Sequence, residues 1–123
     1  MIPGNPRVWL RALRPAQWLK NAVLPAAYFF ARWDPSQQAR VEGLAPALAA
    51  ATAILCFCSV SSGVYLINDL RDLEADRIHP IKRCRPLAAG AISVKAAAAV
   101  AALLLAIGLG GSLALPPAFS AVL

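Results

Sequence analysis

Long apolar stretches alternate with short polar segments along this chain, and the pattern predicts three membrane-spanning helices. The predicted spans cover about residues 18–33, 44–67 and 94–115. The second span contains no charged residue. The first is interrupted by Lys20, Asn21 and Pro25, and it is shorter than the roughly 20 residues that a span needs. A signal peptide is the alternative for this first stretch, and the further apolar stretches downstream argue against it.

Polar and proline-containing segments separate the predicted helices. Residues 34–40 form a short polar loop, and residues 71–93 form a longer basic loop in which Pro80 and Pro86 interrupt any continuing helix. Another apolar segment begins after the third span. The pattern therefore predicts an all-α transmembrane protein with a single membrane domain over residues 1–123.

The composition agrees with a chain whose solvent is the lipid bilayer. Hydrophobic residues make up 59% and charged residues 15% of the 123 residues, whereas a soluble domain carries about 25% charged residues. The net charge is +6, and the bases concentrate before Asn21 and between Arg71 and Lys95. The positive-inside rule then predicts a multi-pass protein of the cell membrane with a cytoplasmic N-terminus and a cytoplasmic loop 71–93. We expect these basic clusters to contact phosphates or lipid head groups, and no nucleic acid.

An acidic motif follows the second span, where four of the six acidic residues fall within eight positions. Asp69, Asp72 and Asp76 are spaced to lie within about 60° of one helix face, and Glu74 points to the opposite side. Tyr65 continues the same stripe toward the span. Like charges on one stripe repel each other, so the pattern predicts a bound cation. Mg²⁺ suits it, because this ion takes one or two carboxylates together with phosphate oxygens.

Basic residues surround this motif and are candidates to contact phosphate. The loop residues of this kind are Lys82, Arg83 and Arg85. Their alternative role is to mark the cytoplasmic face of the membrane. Lys20 is a further candidate for a phosphate or a lipid head group. The alternative for the acidic motif itself is a solvated helix end, whose aspartates pair with neighbouring bases and hold no metal.

Two stretches of the chain resemble the UbiA-type membrane prenyltransferases, and within them the decaprenyl-phosphate phosphoribosyltransferase branch. These stretches are Leu13–Asn21 and Val64–Arg83, and the second contains the signature Asn68-Asp69-x-x-Asp72-x-x-x-Asp76. The resemblance covers most of residues 11–123. It implies that the chain forms the N-terminal three helices of a UbiA-like multi-helix bundle.

The resemblance also implies a reaction and a set of site residues. The reaction is the Mg²⁺-dependent transfer of phosphoribose from 5-phosphoribosyl diphosphate to a polyprenyl (decaprenyl) phosphate, which serves arabinan synthesis for the cell wall. Carried over by position, the residues that bind Mg²⁺ and the diphosphate are Asn68, Asp69, Asp72 and Asp76, and the three aspartates are the catalytic set. Those that bind substrate phosphates are Lys20, Tyr65, Asn68, Arg77, Lys82, Arg83 and Arg85.

The chain also departs from this family in one respect. Family members are longer and carry a second acidic motif, whereas no acidic residue follows Asp76 here. We therefore expect the 123-residue chain to be incomplete or inactive alone, or to need a complementing chain or a homo-oligomer. Two other functions stay open. One is prenyl transfer from a prenyl diphosphate to an acceptor, and the other is a non-catalytic small membrane protein that binds a cation or anionic lipid.

Overall fold

The computed structural model describes residues 5–115, and every regular element in that range is a helix. The elements in chain order are α1 (Pro6–Leu13), α2 (Pro15–Trp18), a 3-10 turn (Leu19–Ala22), α3 (Val23–Trp33), α4 (Gln38–Val41), α5 (Leu44–Arg71), α6 (Leu73–Ile78), a second 3-10 turn (Lys82–Cys84) and α7 (Val94–Ser112). The expected all-α fold is confirmed.

Helices α5 and α7 are, within the described residues, the two that are long and apolar enough to cross a membrane. They contain 28 and 19 residues and occupy the second and third predicted spans. A helix of 19 residues is about 28 Å long, close to the roughly 30 Å of a bilayer's hydrocarbon core. Within the described residues, large apolar side chains are exposed on both helices, among them Leu55, Ile67, Leu103 and Ile107. These faces suit lipid as their solvent.

The first predicted span, residues 18–33, is not a single helix. The chain instead forms the short α2, a 3-10 turn and the 11-residue α3. The exposed Lys20 lies in the 3-10 turn, and Pro25 lies in the first turn of α3, where its missing N–H is tolerated. Helix α3 is about 16 Å long, roughly half of the hydrocarbon core, so it is too short to be a span by itself. The apolar segment predicted after the third span lies outside the described residues.

Helices α5 and α7 pack against each other over small residues. Gly63 faces Ala101 and Leu105, whereas Gly108 faces Val60 and the carbonyl oxygen of Cys56, so the two helices run antiparallel. The buried positions of α7 are Ala97, Ala101, Gly108 and Ser112. Between helices in a bilayer the hydrophobic effect is weak, and small residues stabilise the pair by letting the backbones approach closely.

A buried apolar cluster ties the N-terminal segment to one end of this helix pair. Its members are Ala12, Leu66, Leu87, Ile92, Ala97 and Ala101, with Val8, Trp9 and Leu13 packed against them. They come from α1, α5, the loop before α7 and α7 itself. The cluster therefore fixes α1 beside the end of α5 at which the acidic motif begins.

The close approach of α5 and α7 predicts different effects for two glycines of α7. A Cβ at Gly108 would lie 2.5 Å from Val60 Cγ2 and 2.8 Å from the Cys56 carbonyl oxygen, whereas a Cβ at Gly110 would meet nothing within 4 Å. We expect Gly108→Ala to lower the free energy of unfolding by about 1–3 kcal/mol through overpacking. Gly110→Ala should leave it unchanged or raise it by up to about 1 kcal/mol through helix propensity. Unfolding in detergent micelles followed by circular dichroism measures both, and equal stabilities would contradict the packing described.

Candidate functional site

A cleft of about 490 Å³ lies at the end of α5, where the acidic motif begins. Its walls are formed by Arg14, Tyr65, Asn68, Asp69, Arg71, Asp72, Lys82 and Arg85. Four of these eight residues are basic and two are acidic. The excess of positive charge, with guanidinium groups among the bases, suits a ligand that carries several anionic oxygens.

Arg85 connects two carboxylates of the acidic motif. Its Nη1 donates to Asp69 Oδ1 at 3.1 Å and to Asp76 Oδ2 at 2.5 Å. The two aspartates are only 5% and 2% exposed, and Lys82 Nζ lies 3.9 Å from Asp76 Oδ1. A buried carboxylate needs partners of this kind, because its desolvation is otherwise uncompensated. The basic loop thus folds back onto the acidic motif. The pair between Lys82 and Asp76 is of the kind expected if the motif were a helix end whose aspartates pair with neighbouring bases.

Arg14 reaches the same carboxylate from the N-terminal segment. Its Nη2 donates to Asp69 Oδ1 at 2.5 Å, and its guanidinium carbon lies 5.1 Å from the centroid of the Tyr65 ring, a cation–π contact. Arg14 also links α1 to α2 with a left-handed backbone, at φ 53° and ψ 57°. The sequence candidates did not include Arg14, although it lies within the stretch Leu13–Asn21. Its position next to Pro15, between two helices, was the available signal.

Ser62 of α5 contacts residues on both sides of Arg14, a backbone carbonyl before it and a side chain after it. Trp18 Nε1 donates to Ser62 Oγ at 2.9 Å, and Ser62 Oγ donates to the Leu13 carbonyl oxygen at 3.0 Å. Ser62 is 1% exposed. The hydroxyl therefore both accepts and donates a hydrogen bond, and it joins the N-terminal segment to α5.

The spacing of the acidic motif suggested one continuous helix, but the structure divides the motif between two helices. Helix α5 ends at Arg71, and Asp72, at φ −92° and ψ 8°, separates it from α6. The break is slight, because the Asp76 N–H still donates to the Asp72 carbonyl at 2.8 Å. Asp69 and Asp72 line the cleft, whereas Asp76 does not and meets Asp69 only through Arg85. The structure thus brings together two of the three aspartates at the cleft.

The other residues predicted from the sequence divide into two groups. Those that line the cleft are Tyr65, Asn68, Lys82 and Arg85, and Arg71 joins them although it was not among the candidates. Those outside its walls are Lys20, Arg77 and Arg83, which are all exposed. Arg77 Nη1 instead donates to the exposed Glu74 at 2.9 Å. Contact between these three outer bases and a substrate stays a prediction.

The side-chain oxygen atoms that line the cleft suit a metal ion that is also bound by phosphate better than a metal ion held by protein ligands alone. Across residues 5–115 there is no group of three or more His, Cys, Asp or Glu side chains arranged to hold a metal ion. Mg²⁺ needs only one or two carboxylates where phosphate oxygens and waters complete its shell. Asn68 and Asp72 are exposed and line the cleft, whereas Asp69 is already paired with two guanidinium groups.

The chain matches the model of the UbiA prenyltransferase family over residues 23–123. A decaprenyl-phosphate phosphoribosyltransferase of Corynebacterium glutamicum is 43% identical over 101 residues, which are 82% of this chain and 29% of that protein. Proteins of the same name from Mycobacterium tuberculosis and Mycolicibacterium smegmatis are 40% and 41% identical, over 93% and 77% of this chain and 37% and 29% of their own. The chain therefore spans about a third of the length of these relatives.

The buried ion pairs predict unequal effects for two arginines of the basic loop region. Arg85→Ala removes one of the two bases beside each buried carboxylate, and Arg14 and Lys82 remain, so it should lower the free energy of unfolding by about 1.5–3 kcal/mol. Arg77→Ala removes an exposed pair with Glu74 and should cost about 0–1 kcal/mol. Denaturation of both variants in the same detergent provides the comparison. Equal stabilities would show that Arg85 does not neutralise buried charge.

Proposed function

Because this chain belongs to the UbiA prenyltransferase family, we propose that its cleft binds the diphosphate of 5-phosphoribosyl diphosphate together with Mg²⁺. In the proposed reaction a phosphate oxygen of a polyprenyl phosphate attacks C1 of the ribose. The bond between C1 and the diphosphate breaks, and diphosphate leaves with the bonding electron pair. The names of the similar phosphoribosyltransferases support this substrate class.

The observation that carries the proposal is the convergence of bases and carboxylates on one cleft at the end of an apolar helix. Its four bases, Arg14, Arg71, Lys82 and Arg85, would neutralise phosphate oxygens, and guanidinium groups can contact them in pairs. Because the lipid phosphate supplies the attacking oxygen, the reaction needs no nucleophilic side chain. The work of the protein is to bind and orient the two phosphates.

The side chains of the motif have two roles in this proposal. Asn68 and Asp72 would hold Mg²⁺, which would neutralise the charge that develops on the leaving diphosphate. Asp69 holds Arg14 and Arg85 at the wall of the cleft through its Oδ1 atom. Asp76 fixes Arg85 from its other side. The sequence resemblance also implies metal contacts from Asp69 and Asp76, and the proposal includes them.

The membrane geometry supports a lipid substrate. The cleft adjoins α5, whose exposed apolar side chains, such as Val64 and Ile67, lie near Asn68 in the sequence. A polyprenyl chain could lie along this face while its phosphate reaches the bases of the cleft. We propose that the cleft faces the cytoplasm of a multi-pass protein of the cell membrane, and that the product serves arabinan synthesis for the cell wall. The lysine and arginine distribution supports this orientation.

Prenyl transfer from a prenyl diphosphate to an acceptor is the second candidate, and the description of the matched family favours it. Both reactions would release diphosphate as the leaving group and use the same metal, and they differ in which carbon is attacked. Membranes that contain the chain are incubated with ribose-labelled 5-phosphoribosyl diphosphate and decaprenyl phosphate, or with labelled prenyl diphosphate and an aromatic acceptor. Label in the lipid fraction of the first reaction supports phosphoribosyl transfer. Label transferred only in the second favours prenyl transfer.

The metal role of Asp72 predicts a binding defect that is separate from activity. Asp72→Asn should abolish the Mg²⁺-dependent part of 5-phosphoribosyl diphosphate binding, because it removes the exposed carboxylate of the cleft. The matched control is Glu74→Gln, since Glu74 lies outside the cleft and pairs with Arg77. Equilibrium binding of labelled ligand to purified protein, with Mg²⁺ or with EDTA, gives the measurement. Unchanged Mg²⁺ dependence in Asp72→Asn would show that the metal is held elsewhere.

A further inference from the structure

Ser62 is a buried polar residue of α5 that the proposed chemistry does not use. It is 1% exposed, and its hydroxyl accepts from Trp18 Nε1 and donates to the Leu13 carbonyl. Ser59, another serine of α5, does not contact a second element through such a bond within the described residues. Its Oγ donates at 2.8 Å to the Leu55 carbonyl of the same helix. Ser62 therefore connects two elements, and its role lies in what it fixes on the N-terminal side.

The two hydrogen bonds of Ser62 bracket Arg14 along the chain. Leu13 directly precedes Arg14, and Trp18 ends the short helix that follows it. Arg14 has a positive φ of 53°, a backbone conformation that L-residues rarely adopt and that the surroundings must impose. One hydroxyl thus contacts the Leu13 carbonyl directly before this unfavourable backbone conformation and the Trp18 indole after it.

The side chain of Arg14 is held by the same helix. Ser62 and Asp69 are seven residues apart, which is two helical turns, so both lie on one face of α5. Asp69 accepts from the guanidinium at 2.5 Å, and the Tyr65 ring lies under it. Helix α5 therefore sets the backbone of Arg14 at Ser62 and its guanidinium at Asp69, which leaves that side chain lining the cleft.

We propose that Ser62 is a positioning residue for Arg14 and sets the affinity of the cleft for a diphosphate through it. The inference rests on the proposed function, in which Arg14 contacts a phosphate of 5-phosphoribosyl diphosphate. Ser62 itself is buried and is not among the residues that line the cleft. Loss of its hydroxyl removes the partner of both the Trp18 indole N–H and the Leu13 carbonyl. The backbone at Arg14 is then less firmly held, although Asp69 still contacts the guanidinium.

A double-mutant cycle tests whether Ser62 acts through Arg14. The dissociation constant and the amount bound at saturation are measured for labelled 5-phosphoribosyl diphosphate with Mg²⁺ on the purified 123-residue chain. Arg14→Ala should weaken binding about 10- to 100-fold, as expected for loss of a charge-assisted hydrogen bond. Ser62→Ala should weaken it about three- to tenfold, and the double variant should bind no more weakly than Arg14→Ala. Ser59→Ala, the matched control, should bind like the unchanged chain, and Ser62→Thr, which keeps a hydroxyl, should recover most of the affinity.

Several results would overturn the inference. Effects of Ser62→Ala and Arg14→Ala that add in full would show that Ser62 acts independently of Arg14. A lower amount bound with an unchanged dissociation constant would show a purely structural role. If Arg14→Ala binds as tightly as the unchanged chain, the inference is overturned but the proposed function is not. If the unchanged chain does not bind 5-phosphoribosyl diphosphate, the proposed function is overturned as well. Should Ser62→Ala not fold, Trp18→Phe removes one of the two hydrogen bonds, and unchanged affinity in that variant would count against the proposal.

Discussion

The compensation of two buried carboxylates is the constraint on which the rest of this structure depends. Asp69 and Asp76 are almost completely buried, and the bases that neutralise them come from parts of the chain far apart in sequence. Arg14 lies 55 residues before Asp69, and Arg85 lies 16 residues after it. Because a buried carboxylate without a partner is strongly destabilising, these pairs oblige the N-terminal segment and the basic loop to fold onto the end of α5.

The same pairs give the cleft its chemical character. A cluster of guanidinium groups with no counterions would repel itself, and it would be free to adopt many side-chain conformations. Asp69 accepts from two guanidinium groups at one oxygen atom, and the Tyr65 ring contacts one of them. The bases are thus held in place while the wall of the cleft keeps an excess of positive charge. A phosphate ligand then meets groups whose orientation is already fixed, which lowers the entropy lost on binding.

The sequence predicted those parts of the structure that depend on local pattern. Helices α5 and α7 follow from uninterrupted apolar stretches, and the acidic motif and its basic loop follow from residue type and spacing. It did not predict the break at Asp72 or the short α3, because polar residues and a proline within an apolar stretch are compatible with several backbone paths. Arg14 was missed for a different reason. Its role is set by contacts with Asp69 and Tyr65, more than 50 positions away, and such contacts leave no local periodic signal.

The seam of small residues between α5 and α7 has a consequence for how related sequences can diverge. At Gly63 and Gly108 the neighbouring helix lies so close that even one added methyl group must displace atoms of the partner. The outward positions, such as Leu55 and Ile107, are exposed and have no such close neighbour within the described part of the protein. Mutational drift should therefore be asymmetric around each helix. The outer faces can exchange one bulky apolar residue for another over time, while the inner faces keep their smallest side chains and preserve the spacing that supports the cleft.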